Sequence, residues 1–202
     1  HFLKGYMDQL LLNIHPVPKK TMGNFVVGKN SECLSSIENL ISFNDHFFMY
    51  IWGESGSGKS HLASALRSKN VNVIEDVEKL DNDQQIKLFN LFNESKRLHK
   101  KLVITGNDAP NKMNLRPDLA SRLSWELVYQ IKLLTDNEKK VALESYAAQK
   151  GMSLDKKIIS YCMANLKRDL HSLILTLDAL DEWSLKAKRP VTIPLLIQLL
   201  KK

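Results

Sequence analysis

The stretch that decides the fold runs from Met49 to Ser60 and reads MYIWGESGSGKS. An apolar run ends at Trp52, the pattern G-x-x-x-x-G-K-S follows, and the residues from His61 onward are typical of the first turns of a helix. A phosphate-binding loop requires this strand–loop–helix order, because its glycines let backbone N–H groups point inward and the helix N-terminus adds partial positive charge. We therefore predict a nucleotide-binding loop here, rather than a glycine- and serine-rich turn with an incidental lysine.

Two side chains of this loop have expected roles with ADP or ATP and Mg²⁺. Lys59 would reach the β- and γ-phosphates, and the hydroxyl of Ser60 would ligate the Mg²⁺ ion. The residues expected to bind the nucleotide at this loop are Gly53, Glu54, Ser55, Gly56, Ser57, Gly58, Lys59, Ser60 and His61.

Composition limits the remaining possibilities. The chain has 202 residues, 44% of them hydrophobic and 25% charged, which is ordinary for a soluble protein of one domain or one domain with a small appendage. No apolar run approaches the roughly 18 residues that a membrane span needs, and the N-terminus has no signal-peptide pattern. Cys33 and Cys162 are far apart and in no metal-ligand spacing, so we expect reduced thiols in a cytoplasmic protein with no membrane association.

The net charge of +7 leaves two interpretations open. It suits work near nucleic acid, and it equally suits a solvated, lysine-rich surface. Direct contact with DNA is thus possible, and we expect it to be weak.

The N-terminal segment has three parts. Residues 1–6 precede a plausible initiator, Met7, and we treat them as a remnant of cloning. An apolar string led by a glutamine follows, from Gln9 to Ile14, and after it comes a linker with two prolines and two lysines. The string is too short to be a stable helix by itself, so it would dock either onto its own domain or into a pocket of a partner. Its terminal position beyond such a linker favours the partner.

Two acids follow the second predicted strand, Val71–Ile74. Behind a phosphate-binding loop, Glu75 and Asp76 form a Walker B arrangement, in which one acid holds Mg²⁺ through water and the other orients or deprotonates the attacking water. We expect Glu75 to serve the metal and Asp76 the water. A third strand, Leu102–Asn107, ends beside the phosphates, where Asn107 would position the attacking water or simply form a turn.

The rest of the nucleotide-binding region alternates helices with strands. We predict a helix from Ser31, as its N-cap, to about Phe43, a helix that starts at Asp81 or Asp83, a short helix over Asp118–Leu123 and a fourth strand over Leu127–Leu133. In the helix after Asp81, the residues predicted to be buried are Ile86, Phe89, Leu91, Phe92 and Leu98.

From Thr135 onward the pattern is helical throughout. The predicted helices start at a capping box over Thr135–Glu138, at Ser153, at about Arg168 and at Thr192. Four helices after an α/β unit indicate a separate helical subdomain. Arg168 would either reach back to the phosphates or form a surface salt bridge.

The order of these segments resembles the DnaA branch of AAA+ proteins. The segments that carry the resemblance are Asn24–Gly28, the phosphate-binding loop, Glu75–Asp76, Thr105–Asn107, Ser121–Glu126 and Arg168. Within that branch, Arg116–Trp125 and Leu175–Asp181 look most like the Hda family, which are DnaA-related regulatory inactivators of DnaA, and the resemblance covers nearly all of residues 8–202. Hda proteins start with a clamp-binding peptide of the form Gln-Leu-x-Leu-x-Leu, which this chain matches with an isoleucine in the last place. The chain also ends after the helical region, where DnaA would continue into a helix-turn-helix DNA-binding domain.

This resemblance implies an α/β fold, a P-loop AAA+ base with a parallel sheet over residues 21–134 and a C-terminal α-helical lid over residues 135–202. Residues 7–20 would be the clamp-binding peptide and its linker. By position, Val26 and Val27 would line the adenine pocket, Asn107 would be sensor 1, Arg168 would be sensor 2 and Arg122 would be the arginine finger. The residues that would bind the DNA polymerase sliding clamp (its beta subunit) are Gln9, Leu10, Leu12 and Ile14.

The implied function is regulation of the initiation of chromosome replication. Bound to the DNA-loaded clamp, the protein would present Arg122 to DnaA–ATP, promote hydrolysis and leave DnaA in its inactive ADP form, which prevents re-initiation. An arginine finger supplied in trans is worth about 10³–10⁵ in rate in GTPases. The implied partners are the clamp and DnaA, with a homo-oligomer as a further possibility.

The chain departs from the family pattern in two places. The family usually has Asp first in Walker B, whereas Glu75 is first here, so we expect at most weak intrinsic ATPase activity with ADP or ATP simply held. Only ten residues lie between Ser60 and Val71, where the family fits a further strand and helix, so this segment is either natively short or incomplete. Because that strand would be at an edge, we expect the core to survive without it.

Two other classes of function remain open. A helicase loader resembling DnaC would be an ATPase, but it would need a helicase-binding N-terminal region that so short a peptide cannot supply. A nucleotide-dependent adaptor would bind the same partners and leave Arg122 unused.

Overall fold

The computed structural model describes residues 19–152, 154–188 and 190–200 of the chain. The chain divides into two compact units, one over Lys20–Leu133 and the other including Leu134–Lys202. The predicted clamp-binding residues Gln9, Leu10, Leu12 and Ile14, and the predicted cap Ser153, lie outside the described residues.

The first unit contains a parallel sheet of four strands. They are β1 (Phe48–Trp52), β2 (Asn72–Ile74), β3 (Leu102–Gly106) and β4 (Leu127–Gln130), in the order β2-β3-β1-β4. Trp52 at the end of β1 is in register with Gly106 of β3 and with Gln130 of β4. Because parallel strands end at the same edge of a sheet, the loops that follow all of them meet there, which is where ligands bind in open α/β sheets.

Helices cover both faces of this sheet: α1 (Ser31–Ser42), α2 (Lys59–Arg67), α3 (Asn82–Leu98) and α4 (Pro117–Leu123). Successive side chains of a strand point to opposite faces. Accordingly, Met49 and Ile51 of β1 pack with residues of α1 and α2, whereas Phe48 and Tyr50 pack with residues of α3 and α4. The continuous apolar run before the phosphate-binding loop is therefore a central strand buried on both faces.

The chain passes directly from α2 to β2, which lies at the edge of the sheet. Val71 and Val73 are buried in the same core cluster as the residues of α2, so the first unit has a core without any further strand at this point. Arg67, the last residue of α2, donates hydrogen bonds to the backbone carbonyl of Val73 at 3.1 Å and to the carboxylate of Glu75 at 2.7 Å. A charged side chain therefore lies across this edge, as is common at exposed sheet edges.

Three local predictions need correction. Asn30, not Ser31, is the N-cap of α1, and its buried side chain forms two hydrogen bonds with the backbone of Lys132 instead of capping the helix. In α3, the prediction of burial is wrong for Ile86 and Leu98, which are 38% and 42% exposed. The fourth strand ends at Gln130, earlier than predicted.

The buried face of α3 is set by a polar residue. Gln85 is buried because its side chain donates to the carbonyl of Leu80 at 3.0 Å and accepts from the backbone N–H of Arg116 at 2.9 Å. Satisfied hydrogen bonds make such burial tolerable. The inward residues of this helix are Gln85, Leu88, Phe92 and Ser95.

The described residues of the second unit form four helices: α5 (Asp136–Gln149), α6 (Lys156–Asn165), α7 (Leu170–Ala187) and α8 (Ile193–Leu200). They share a core of their own, which includes Leu143, Cys162, Leu173, Leu177 and Leu196. Thr135 and Glu138 form the predicted capping box of α5. The caps of the next two helices are Asp155 and Asp169, so Arg168 precedes α7 rather than opening it.

Within the described ranges, every helix is too short or too polar to traverse a lipid bilayer.

Candidate nucleotide-binding site

The loop between β1 and α2 has a backbone that only glycine satisfies at three positions. Gly56 and Gly58 have φ values of 85° and 103°, in the left-handed region that side chains disfavour. A Cβ on Gly53 would lie 2.3 Å from the carbonyl oxygen of Ile131, which follows β4. Of the two glycines in the G-x-x-x-x-G-K-S pattern, Gly58 is thus required by the backbone of the loop and Gly53 by the neighbouring carbonyl of Ile131.

Two buried polar side chains of this loop fit the phosphates of a nucleotide. The hydroxyl of Ser57 is buried and has no hydrogen-bond partner within the described part of the chain, and such orphaned groups in proteins usually await a ligand, an ion or water. Among the described residues, the buried Lys59 ammonium donates to two carbonyls of its own loop, those of Gly53 at 2.5 Å and Glu54 at 3.1 Å. Because these carbonyls are neutral, a phosphate would supply the negatively charged partner that they do not provide for Lys59.

The pKa of Lys59 is influenced by its burial and by nearby acids. Burial lowers the pKa of Lys59, and the charges of Glu78 and then Asp76 act against burial by raising it. Glu75 is absent from these influences. The acidic environment of the loop lysine therefore comes from Asp76 and Glu78.

The two predicted Walker B acids point in different directions. Glu75 forms an ion pair with Arg67 at 2.7 Å. Arg67 is the last residue of α2 and Lys59 the first, so the two lie about 12 Å apart along the helix axis. Asp76 has a left-handed backbone with φ of 56°, and its carboxylate accepts a hydrogen bond from Lys79 at 2.7 Å. The two carboxylates are therefore held by different partners, Glu75 by Arg67 of α2 and Asp76 by Lys79.

Asn107 lies beside the phosphate-binding loop, as predicted from its position after β3. The preceding Gly106 accepts a hydrogen bond from the backbone N–H of Gly53 at 3.2 Å. Asn107 donates twice to the carboxylate of Glu78, from its backbone N–H at 3.2 Å and from its side-chain amide in a shorter contact. Glu78 was not singled out from the sequence, where its only signal is that it is a second acid two residues after Asp76.

The segment before α1 is attached to the start of α2. The ring of Phe25 lies so close to Gly58 that a Cβ there would be 2.8 Å from it, and it meets the His61 ring edge-on with centroids 5.4 Å apart. Val26 is half-buried and Val27 is exposed next to it. Phe25 is thus a residue of this site that sequence reasoning missed, although it stands in the same short segment as the two predicted valines.

His61 completes this attachment. Its Nε2 lies 2.8 Å from the carbonyl oxygen of Thr21 and 3.1 Å from Oδ1 of Asn24. Both of these atoms are acceptors, which fits a proton on Nε2. The predicted role of His61 at the nucleotide therefore coincides with a structural role in fixing the segment that carries Val26.

Arg122, on α4, packs against aromatic rings. Its guanidinium carbon lies 4.7 Å from the centre of the Trp125 ring and 5.6 Å from those of Phe89 and Phe92. Lys96 lies over the same Trp125 ring, with its Nζ 3.9 Å from the centre. No acid in the described ranges forms an ion pair with Arg122, whose recorded partners there are these rings.

Arg168 belongs to the second unit. It forms a surface salt bridge, which was one of the two roles considered for it from the sequence. Its guanidinium lies 3.4 Å from the carboxylate of Asp136, and both side chains are more than half exposed. Such a pair contributes little to stability and can be exchanged for another anion.

The residues of this site also suit Mg²⁺ bound with a nucleotide. Among the described residues, no group of three or more His, Cys, Asp or Glu side chains is placed to hold a metal ion. In nucleotide sites Mg²⁺ is typically held by the substrate's phosphates and only one or two protein oxygens. The exposed hydroxyl of Ser60, at the start of α2, is one such oxygen.

Sequence comparisons identify relatives of both units. The family model described as "Hda, lid domain" matches residues 136–200. An uncharacterized protein of Haemophilus influenzae is 32% identical over 226 residues, which cover 95% of this chain and 98% of that protein. Because 226 exceeds the 202 residues of this chain, that relative has residues with no counterpart here.

Solved structures share the fold at low sequence identity. Domain III of the replication initiation protein DnaA from Thermotoga maritima matches with a TM-score of 0.73 and 20% identity, over 93% of this chain and 98% of that one. AMPPCP-bound DnaA from Aquifex aeolicus matches with 0.66 and 20%, over 85% and 69%. The Thermotoga maritima RuvB Holliday junction branch migration motor matches with 0.63 and 12%, over 90% and 71%. These likenesses confirm the predicted fold class, an α/β base with a parallel sheet and a C-terminal helical lid.

Proposed function

Since the chain belongs to the Hda-like, DnaA-related family of AAA+ proteins, we propose that it regulates the initiation of chromosome replication by promoting hydrolysis of DnaA-bound ATP. The observation that carries this proposal is the environment of Arg122. Its guanidinium lies over aromatic rings and forms no ion pair with an acid among the described residues. An arginine in this state is available to an anion outside its own chain.

In the proposed reaction, Arg122 acts on the nucleotide of a neighbouring DnaA subunit. As water attacks the γ-phosphorus, negative charge is spread over the phosphoryl oxygens and the bond to the β-phosphate oxygen breaks. The five N–H donors of a guanidinium stabilise this charge bidentately. Hydrolysis leaves ADP on DnaA and releases phosphate, and the arginine is unchanged.

The chain's own nucleotide has a structural role in this proposal. ADP or ATP with Mg²⁺ would bind through the loop Gly53–Ser60, where the orphaned Ser57 hydroxyl and the buried Lys59 ammonium support phosphate binding. Val26 and Val27 would contact the adenine, and Asn107 and Arg168 would act as sensors 1 and 2. Intrinsic hydrolysis would be weak.

Weak intrinsic hydrolysis follows from how the acids are held. Glu75, the predicted metal acid, is paired with Arg67, and Asp76 is paired with Lys79. The AMPPCP-bound DnaA of similar fold supports nucleotide binding by this architecture.

Docking on the sliding clamp would bring Arg122 to DnaA on DNA. Gln9, Leu10, Leu12 and Ile14 would bind the clamp's beta subunit, a proposal that rests on the sequence pattern alone. The protein would then work in the cytoplasm, where it would contact DNA weakly or through the clamp, and copies of the chain could assemble with each other.

Hydrolysis of DnaA-bound ATP in the presence of this protein and a clamp loaded on DNA tests the proposal. We expect stimulation that needs both the protein and the loaded clamp. An adaptor with an unused arginine would bind clamp and nucleotide without accelerating hydrolysis, and that result would contradict the proposal. A pull-down with the clamp tests the peptide separately: Gln9→Ala should weaken capture, and unchanged capture would remove the docking role.

A further inference from the structure

Glu78 is an acid beside the nucleotide loop that takes no part in the proposed action of Arg122. It lies in the 3₁₀ turn Val77–Lys79, directly after Asp76, and its side chain is half-buried. Its two carboxylate oxygens accept hydrogen bonds from one residue, Asn107: one from the backbone N–H at 3.2 Å and one from the side-chain amide. Both kinds of donor that Asn107 has are therefore directed at Glu78.

Asn107 places this pair of residues at the edge of the sheet that carries the phosphate-binding loop. Asn107 follows Gly106, which pairs with Trp52 in register and accepts a hydrogen bond from Gly53 of the loop. The charge of Glu78 is the largest electrostatic influence on Lys59, ahead of that of Asp76. Since Lys59 is the residue that reaches the β- and γ-phosphates in such loops, the Glu78 carboxylate faces the same region.

A γ-phosphate entering this region would meet two obstacles. The side-chain amide of Asn107 already donates one of its two N–H groups to Glu78, so only the second N–H remains for a phosphate, and its direction is set by the bond to Glu78. The Glu78 carboxylate also carries the same sign of charge as the phosphate, and like charges in a partly buried site repel strongly. A diphosphate ends one phosphate earlier and avoids both obstacles.

We infer that Glu78 is a specificity-determining residue, which sets the discrimination of this site between nucleoside diphosphates and triphosphates by occupying the Asn107 donor and by its own negative charge. This inference rests on the proposed nucleotide site at Gly53–Ser60. It concerns the chain's own nucleotide and is independent of the action of Arg122 on DnaA.

Glu78→Gln tests this directly, because it removes the charge while keeping the size of the side chain. The dissociation constants of ADP and of the non-hydrolysable triphosphate AMPPCP are measured by calorimetry with Mg²⁺ on the full chain. We expect AMPPCP to bind about tenfold more tightly to the variant, because the repulsion between the Glu78 carboxylate and the γ-phosphate is removed, and ADP to change less than about twofold.

Two further variants separate the components of the effect. Glu94→Gln, at an exposed acid of α3, makes the same chemical change away from the loop and should leave both constants unchanged. Glu78→Asp keeps the charge but shortens the side chain, so it should release Asn107 and give a smaller gain for AMPPCP than Glu78→Gln. Circular dichroism confirms that each variant is folded.

Three results would overturn the inference. One is an unchanged ratio of the two constants in Glu78→Gln, and another is an equal change of both, which would mean a general effect on the site. The third is a wild-type chain that binds neither nucleotide, which would remove the proposed nucleotide site as well. The first two results would contradict the role of Glu78 but not the nucleotide site. Failure of this inference is therefore distinguishable from failure of the proposed site.

Discussion

The guanidinium carbon of Arg122 lies 4.7 Å from the centre of the Trp125 ring, three residues further along the chain. A stacked guanidinium uses its flat faces for the ring and keeps its N–H donors at the edge, where they remain able to bind an anion. The rings of Phe89 and Phe92 approach the same group to 5.6 Å. The aromatic surface therefore restrains the arginine without consuming its hydrogen-bonding capacity.

Trp125→Ala should lower the stimulation of DnaA–ATP hydrolysis by about two- to fivefold, because an exposed cation–π contact of about 0.5–1 kcal/mol is lost. Trp125→Phe, which keeps a ring, should retain most of the stimulation. Lys96→Ala is the control, since Lys96 lies over the same ring but carries no finger role. Full stimulation by Trp125→Ala would contradict the restraint of Arg122 by this ring.

Nucleotide should stabilise the folded chain through Lys59. At a concentration 100 times its dissociation constant, a ligand that binds only the folded state adds about 2.7 kcal/mol. We expect ADP with Mg²⁺ to raise the Tm of the wild type and of Lys69→Ala, an exposed lysine after α2. Lys59→Ala should show no such rise, and an undiminished rise would mean that the nucleotide binds elsewhere.

Cys33 and Cys162 should resist alkylation in the native protein. Both are buried free thiols, and burial raises the pKa of Cys33 to about 12 and that of Cys162 to about 11. At pH 8 almost no thiolate is present, so mass spectrometry should find modification by iodoacetamide only after denaturation. Rapid modification of the folded chain at pH 8 would contradict this burial.

The same thiols predict how stability depends on pH. Their pKa values are raised in the folded state, so above about pH 8.5 the unfolded chain loses these protons while the folded chain keeps them. The free energy of unfolding should therefore fall as the pH rises from 8.5 towards 11. Cys33→Ala and Cys162→Ala should each reduce this slope, as measured by urea unfolding at several pH values.

Short-range patterns account for what the sequence predicted well. The strand β1, the loop and the helix α2 are consecutive in the chain, and the left-handed backbone at Gly56 and Gly58 is local to that loop. The capping box at Thr135 and Glu138 is equally local. Such features need no knowledge of distant parts of the chain.

What the sequence did not predict depends on contacts between distant residues. Phe25 reaches Gly58 from more than thirty residues away, and the rotation of α3 is fixed by the hydrogen bonds of Gln85 with Leu80 and Arg116. Glu75 and Asp76 both follow β2, and the left-handed backbone of Asp76 redirects the chain between them. Their adjacent positions in the sequence could not predict that Glu75 pairs with Arg67 while Asp76 pairs with Lys79.

Asp178 should be the most sensitive polar position of the helical unit. It is 5% exposed and accepts hydrogen bonds from the Tyr146 hydroxyl at 2.7 Å and the Lys150 ammonium at 2.5 Å. Its bond to Lys150 raises the pKa of that lysine. Asp178→Ala should lower the free energy of unfolding by about 1–3 kcal/mol. Asp181→Ala, one turn later and half-buried, is the control, and equal losses in urea unfolding would contradict a special role for Asp178.

The most direct test of the central proposal compares Arg122→Ala with the wild type in single-turnover hydrolysis of DnaA-bound ATP on DNA with loaded clamp. The matched control is Arg97→Ala, which removes an exposed arginine of α3. Each variant is first shown to bind clamp and nucleotide like the wild type. We expect Arg122→Ala to fall to the rate of DnaA alone, since a finger in trans contributes about 10³–10⁵ in GTPases, and Arg97→Ala to retain full stimulation. Wild-type stimulation by Arg122→Ala would contradict the account.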